Sequence, residues 1–90
     1  MGIAAIKIKI MPNSLDVNLE EIKKQAKKII EKGEGKNIIF TEEPIAFGLK
    51  AIIVFFGLDE SKELEPTENN LRKIKNVSSA EVIDLRRAFG

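Results

Sequence analysis

The chain is 90 residues long and carries 15 basic and 14 acidic side chains, so its formal net charge is +1. That length fits one small domain and leaves no room for two independent hydrophobic cores. The absence of cysteine excludes disulfides, zinc–thiolate sites and iron–sulfur clusters. Histidine is also absent, which removes the commonest general base and every Ser-His or Cys-His catalytic arrangement. A nearly neutral charge disfavours strong, non-specific binding to nucleic acid.

No stretch approaches the ~20 apolar residues that a membrane-spanning helix needs. Residues 1–11 lack the unbroken apolar run of a secretory signal, so we expect a cytoplasmic protein. Lysine and glutamate carry almost all of the charge, and isoleucine is the main apolar residue. This composition suggests a heat-adapted source.

The first half of the chain predicts a strand, a helix and a short second strand. Isoleucine alternates with lysine in the opening segment, which is typical of a strand with one buried face, and Pro12 ends it. Asn18 is positioned to cap a helix with regularly spaced apolar residues, and Gly33 ends that helix. Residues 36–41 then predict a short strand.

The second half of the chain predicts a long strand, a shorter helix and a last strand. Glu42-Glu43-Pro44 interrupts the preceding strand, and the apolar run over residues 45–58 predicts a strand covered on both faces. Pro66 suits the first turn of a helix that ends near Asn76. Residues 77–89 predict the last strand.

The predicted order β-α-β-β-α-β is that of a ferredoxin-like α+β fold, formed here by a single domain over residues 1–90. Two right-handed crossovers place the first and third strands at the centre of a four-stranded antiparallel sheet, with both helices on one face. Because residues of both parities in the third strand are apolar, we expect that Ile52, Val54 and Phe56 do not all lie beneath the helices. A partner, a second copy or a loop would then cover the other face.

One candidate site lies at the start of the apolar run. Pro44 stiffens the entry, and Gly48 exposes the backbone between Phe47 and Lys50. A large ring at the start of a strand and beside a glycine is well suited to enter a pocket on another protein. The alternative is a core phenylalanine beside a β-bulge glycine.

A second candidate site is Arg86-Arg87, at the end of the last strand. Lysine outnumbers arginine twelve to three in this chain, yet two arginines stand together here. Adjacent strand residues face opposite ways, so one of the pair should point to the open side of the sheet or past its edge. The alternative is a charge that protects an edge strand from aggregation.

Two pairs of adjacent carboxylates, Glu42-Glu43 and Asp59-Glu60, could serve in acid–base chemistry or bind a hard cation. Carboxylates on exposed turns usually only solvate them. We therefore predict solvated loops at both places.

The chain resembles archaeal elongation factor 1-beta, a stand-alone counterpart of the carboxyl-terminal exchange domain of eukaryotic elongation factor 1-beta. The resemblance runs nearly end to end. Its motifs are the opening strand through Met11-Pro12, Leu15-Asp16-Val17, the block from Glu42 to Leu49, Val77-Ser78-Ser79 and the stretch from Val82 to Arg87.

The resemblance implies a guanine-nucleotide exchange factor for elongation factor 1-alpha, the GTPase that delivers aminoacyl-tRNA to the ribosome. It implies no covalent chemistry, no cofactor, and no direct nucleic-acid or membrane partner. In the eukaryotic domain a lysine near the carboxyl terminus reaches the magnesium site of the GTPase, and an aromatic residue presses into its nucleotide domain. By motif, Phe47 takes the aromatic position and Arg87 that of the lysine, with Arg86 as the alternative. Gly48 and Lys50 belong to the same partner-binding set, and we expect all of these residues on one side of the molecule.

Two other functions fit the predicted fold. RNA-recognition domains share the strand and helix order, and Ala46-Phe47-Gly48-Leu49 partly imitates the aromatic signature of their third strand. A ligand-sensing or structural module that dimerises through the sheet is the other alternative.

Overall fold

Residues 2–88 are described by a computed structural model, in which four antiparallel strands form one sheet in the order β2-β3-β1-β4. The elements in chain order are β1 (Ile3–Pro12), α1 (Leu19–Lys32), β2 (Lys36–Pro44), β3 (Lys50–Asp59), α2 (Glu65–Arg72) and β4 (Val77–Ala88). This arrangement confirms the ferredoxin-like fold and the central position of the first and third strands. Neither helix of the described chain is long and apolar enough to cross a membrane.

The hydrophobic core lies between the two helices and one face of the sheet. Alternate residues of β1 and β3 pack there against Ile22, Ile30 and Leu71 of the helices. The β3 residues in this core are Ile52, Val54, Phe56 and Leu58. The expectation that the first three do not all lie beneath the helices is therefore wrong, because alternate residues of one strand share a face.

The odd-numbered residues of β3 face the opposite side of the sheet. The ammonium of Lys7 lies 5.3 Å from the centre of the Phe55 ring, in the range of a cation–π contact. Ile39, which pairs with Phe55, is exposed, while Ile53 is buried. We call this surface the open face.

The capping of α1 follows the prediction from sequence. The Asn18 side-chain oxygen accepts hydrogen bonds from the backbone N–H groups of Glu20 and Glu21, at 3.0 and 3.3 Å. Gly33 ends the helix as predicted, but its φ of −82° is one that any residue adopts. The glycine is needed for another reason, because a Cβ at Gly33 would collide with the Thr67 hydroxyl of α2.

We expect Gly33→Ala to lower the free energy of unfolding by about 1–3 kcal/mol, because overpacking forces α1 and α2 apart. Urea denaturation followed by circular dichroism measures this loss in a chain without Trp or Tyr. Thr67→Ala removes the colliding hydroxyl, so the double variant should be more stable than the sum of the two single effects predicts. Strict additivity would contradict the collision.

The boundaries of β2 and β3 differ from the prediction. β2 continues through Glu42 and Glu43, which pair with Ile52 and Ala51 of β3, and it ends at Pro44. Proline is tolerated there because β2 is an edge strand. Residues 45–49 are not a strand, although they are part of the apolar run, so the interruption lies after the proline and not before it.

The end of α2 also differs from the prediction. The helix ends at Arg72, and the chain turns at Asn76 with a φ of +72° before β4 begins. Asparagine tolerates this left-handed conformation better than most residues. The predicted end of β4 at Phe89 lies outside the described residues.

Candidate functional site

The β2–β3 connection is a tight hairpin turn with the aromatic residue at its apex. The backbone N–H of Leu49 donates to the carbonyl of Ala46 at 2.9 Å, and the N–H of Ile45 donates to the carbonyl of Leu49 at 2.8 Å. Both central residues have positive φ, +54° at Phe47 and +81° at Gly48. This is the pattern of a type I′ turn, whose twist matches that of a hairpin. Phe47 therefore lies in a turn and not, as predicted, at the start of a strand.

Phe47 is 98% exposed, so the alternative of a core phenylalanine is wrong. Its left-handed backbone costs roughly 1–3 kcal/mol for a residue with a bulky side chain. The other non-glycine residues with positive φ in the described chain are polar, namely Glu34, Asn37 and Asn76. A strained backbone and an unburied benzene ring both oppose stability, so neither is explained by the fold.

The strain at Phe47 gives a prediction for stability. Asparagine accepts the left-handed conformation, so we expect Phe47→Asn to raise the free energy of unfolding by about 0.5–1 kcal/mol. For a domain of this size the melting temperature should rise by a few degrees. Phe47→Val is the matched control, because a β-branched residue suffers more at positive φ and should lower the melting temperature. A melting temperature for the asparagine variant below that of the wild type would contradict the assignment of strain.

Two further apolar side chains are exposed at this end of the molecule. Leu15, in the loop between β1 and α1, is 62% exposed, and Ile45 is exposed as well. A methyl group of Leu15 lies 3.7 Å from the position that a Cβ would occupy at Gly48. We call Leu15, Ile45 and Phe47 the hairpin tip. Leu15 is not among the predicted site residues, although an isolated leucine in the polar stretch Asn13-Ser14-Leu15-Asp16 is a signal of an exposed apolar contact.

One carboxylate joins the hairpin to the helix layer below the tip. The Nζ of Lys23 on α1 lies 2.7 Å from Oε2 of Glu42 and 2.9 Å from Glu20. The Nζ of Lys50 on β3 lies 3.9 Å from Oε1 of Glu42. The hydrogen bond between Lys23 and Glu42 raises the pKa of the lysine and lowers the pKa of the carboxyl. Glu42 is thus not the solvated loop residue that the sequence predicts.

The two terminal arginines face opposite sides of the sheet. Arg87 pairs with Ala4, which lies in the core, and Arg86 pairs with Ala5 on the other side of the sheet. Arg86 therefore points to the open face, as expected for one of the two arginines. The Nε of Arg86 lies 3.1 Å from a carboxylate oxygen of Asp84, and the Nε of Arg87 lies 3.5 Å from Glu60. Both side chains are largely exposed. β4 is an edge strand, so the alternative of edge protection stays open.

The hairpin tip and the arginines lie at opposite ends of the sheet. Arg87 is level with Ala4 near the start of β1, whereas the hairpin extends beyond Ile10, which pairs with Ile52. The six residue steps along β1 from Ala4 to Ile10 span about 20 Å. The expectation that the ring and the guanidinium share one side is therefore wrong, because antiparallel pairing sends the β2–β3 turn and the end of β4 in opposite directions.

The second pair of carboxylates also has a local structural role. Asp59 accepts hydrogen bonds at 2.8 Å from both the backbone N–H and the hydroxyl of Ser61, and these bonds lower its pKa. Glu60 contacts Arg87. Within residues 2–88, no group of three or more acidic side chains is arranged to hold a metal ion.

The structure does not place the segment that resembles an RNA-recognition signature where that signature requires it. Ala46-Phe47-Gly48-Leu49 forms the hairpin turn, whereas the signature requires aromatic rings on the sheet surface. Phe55 supplies a ring to the open face, but its neighbours across the sheet are Ile39 and Lys7.

The exposed hairpin tip and the two exposed arginines are therefore the candidate contact sites of this fold. Residues 5–88 match the family described as the EF-1 guanine nucleotide exchange domain, and the chain belongs to that family. It is therefore a guanine nucleotide exchange factor of translation elongation, a function that needs no covalent chemistry.

Relatives named elongation factor 1-beta are similar to this chain over nearly its whole length. The chain is 44% identical over 88 residues to elongation factor 1-beta of Methanosarcina barkeri, covering 97% of this chain and 99% of that protein. It is 38% identical over 89 residues to elongation factor 1-beta of Methanocaldococcus jannaschii, covering 98% and 100%. The ACT domain from GTP pyrophosphokinase of Chlorobium tepidum has a similar structure, with a TM-score of 0.62 at 20% identity, and covers 88% of this chain and 96% of that domain. At this identity the likeness concerns the fold alone.

Proposed function

We propose that the protein accelerates GDP release from the GTPase elongation factor 1-alpha by two separate contacts. The hairpin tip binds the GTPase, and Arg87 reaches its magnesium and phosphate site. The observation that carries this proposal is Phe47, a wholly exposed ring held at a turn apex on a strained backbone. Strain of this kind is kept where it serves a function, and exposed aromatic side chains are common anchors of protein interfaces.

Arg87 has the chemistry that displacement of a nucleotide requires. In the GTPase, a magnesium ion would supply positive charge at the phosphates of GDP, together with backbone and side-chain donors. The guanidinium of Arg87 at that site would supply one positive charge in place of the divalent cation, so the nucleotide would bind less tightly. The contact between Arg87 and Glu60 is long and exposed, and it costs little to release.

Because the two contacts are far apart, we expect them to have different roles in exchange. The hairpin tip supplies affinity through burial of apolar surface, whereas Arg87 changes the environment of the nucleotide about 20 Å or more away. Because binding couplings are reciprocal, GDP must weaken the binding of the factor by the same ratio by which the factor weakens GDP. Free GTP then occupies the emptied site.

The proposed setting is the cytoplasm, with the GTPase as the direct partner and without a cofactor, a nucleic acid or a membrane. The deciding experiment measures release of a fluorescent GDP analogue from the cognate elongation factor 1-alpha, with excess unlabelled nucleotide as the chase. We expect release to accelerate and then saturate as the protein is added. A release rate that does not change with added protein would refute the proposal.

A further inference from the structure

The strained turn at Phe47 needs support from outside itself. Its φ of +54° is unfavourable, and such conformations persist only where the surrounding structure determines them. β2 is an edge strand, so its backbone is held on one side only, by β3. Beyond Glu42, both Glu43 and Pro44 are exposed. The strand that leads into the turn therefore has few other contacts to fix its position.

Glu42 supplies such a contact from both of its carboxylate oxygens. Oε2 accepts a hydrogen bond from Lys23 of α1 at 2.7 Å, and Oε1 lies 3.9 Å from the ammonium of Lys50. Lys50 is the first residue of β3 after the turn. One side chain thus connects the helix layer with both strands of the hairpin. The side chains of Glu42 and Lys23 are 31% and 20% exposed, so solvent screens their interaction less than that of a fully exposed pair.

We propose that Glu42 is a positioning residue for nucleotide exchange: by joining Lys23 of α1 to Lys50 of β3, it holds the hairpin tip in the orientation that binds the GTPase. This inference rests on the proposed function. Glu42 acts through the hairpin and does not touch the nucleotide. Its loss lowers the fraction of molecules with a binding-competent hairpin, and apparent affinity falls in proportion to that fraction.

The test uses GDP release from the GTPase measured over a range of factor concentrations. For Glu42→Gln we expect the half-saturating concentration to rise about three- to fivefold, as loss of one partly exposed ion pair allows. The maximal release rate should stay within about twofold of the wild type, because Arg87 is unaffected. A half-saturating concentration equal to that of the wild type would overturn the inference.

The matched control is Glu68→Gln. Glu68 forms a partly buried ion pair at 3.0 Å with Arg72, entirely within α2. This variant loses a similar interaction without contact to the hairpin, so its half-saturating concentration should not change. If it rises as much as that of Glu42→Gln, a general loss of stability explains the effect and the inference is wrong.

A double-mutant cycle distinguishes positioning from direct contact with the GTPase. If Glu42 acts through Lys23, then Lys23→Met should raise the half-saturating concentration as well, and the double variant should be little worse than either single variant. Fully additive effects would show that each residue acts alone, and the inference would be wrong.

A final readout does not depend on exchange activity. The N–H of Leu49 closes the turn by its bond to Ala46, so its hydrogen exchange reports on the hairpin. In Glu42→Gln this amide should exchange about three- to fivefold faster, while amides of β1 stay unchanged. If the wild-type protein failed to accelerate GDP release from the GTPase, the proposed function would be wrong. The exchange rate of the Leu49 amide would still decide whether Glu42 holds the hairpin. Unchanged exchange at Leu49 would overturn the inference.

Discussion

Arg87→Ala should reduce the maximal rate of GDP release by about 30- to 100-fold, the largest effect expected of any single substitution in this chain. Removing one partner of a desolvated, charge-assisted contact costs about 2–3 kcal/mol, and each 1.4 kcal/mol corresponds to a factor of ten in rate. The half-saturating concentration should change much less, because the hairpin tip is intact. Stopped-flow release of a fluorescent GDP analogue measures both quantities.

Two variants sharpen this experiment. Arg87→Lys keeps a positive charge and should retain most of the activity, whereas Arg86→Ala changes the neighbour that points to the open face and contacts Asp84. The stability of all three variants should match that of the wild type, since both arginines are largely exposed. A loss of activity in Arg86→Ala with full activity in Arg87→Ala would assign the role to Arg86 instead.

Phe47→Ala should raise the half-saturating concentration about 30-fold and leave the maximal release rate within about twofold of the wild type. An aromatic anchor at the centre of an interface contributes about 2 kcal/mol or more. The ring is 98% exposed in the free protein, so its removal cannot open a cavity in the core. A titration of release rate against factor concentration separates the two parameters.

Ile39→Ala is the matched control for Phe47→Ala. Ile39 is also exposed, but it lies in β2 on the open face, away from the hairpin tip. Its half-saturating concentration should stay close to that of the wild type. If instead Ile39→Ala weakened binding as strongly as Phe47→Ala, the hairpin tip would not be the main contact, because the open face would contribute equally.

Much of the fold was accessible from the sequence because its signals are periodic. Alternating isoleucine and lysine in β1, the Asn18 cap and the β-α-β-β-α-β order together lead to the observed sheet. The boundary between β2 and β3 could not be predicted from such a periodic signal. Between Ile45 and Lys50 the apolar run contains Gly48 as its single turn residue, because Phe47 occupies the other central position, where Asn, Asp or Gly would be typical.

The chemistry of the site was easier to predict than its geometry. Phe47 and the arginines stand out by residue type, and the structure leaves all three exposed. Their placement at opposite ends follows from antiparallel pairing of β3 and β4 with β1. The predicted topology therefore already contained it, although the residue types alone do not specify it. The contact between Lys23 and Glu42 joins residues 19 positions apart and depends on how α1 packs over β2.

The span of the sheet has a consequence for how such a factor can change in evolution. Adding or removing one residue turns every following side chain of a strand to the other surface unless a β-bulge absorbs it, as one does between Val82 and Asp84 of β4. Changes of two residues preserve the core without a bulge. Each such change alters the length by about 7 Å. The distance between the hairpin tip and Arg87 therefore changes in large steps when strand length changes. Gradual refinement of the fit to a GTPase must come from the side chains at the two extremities and not from the strands between them.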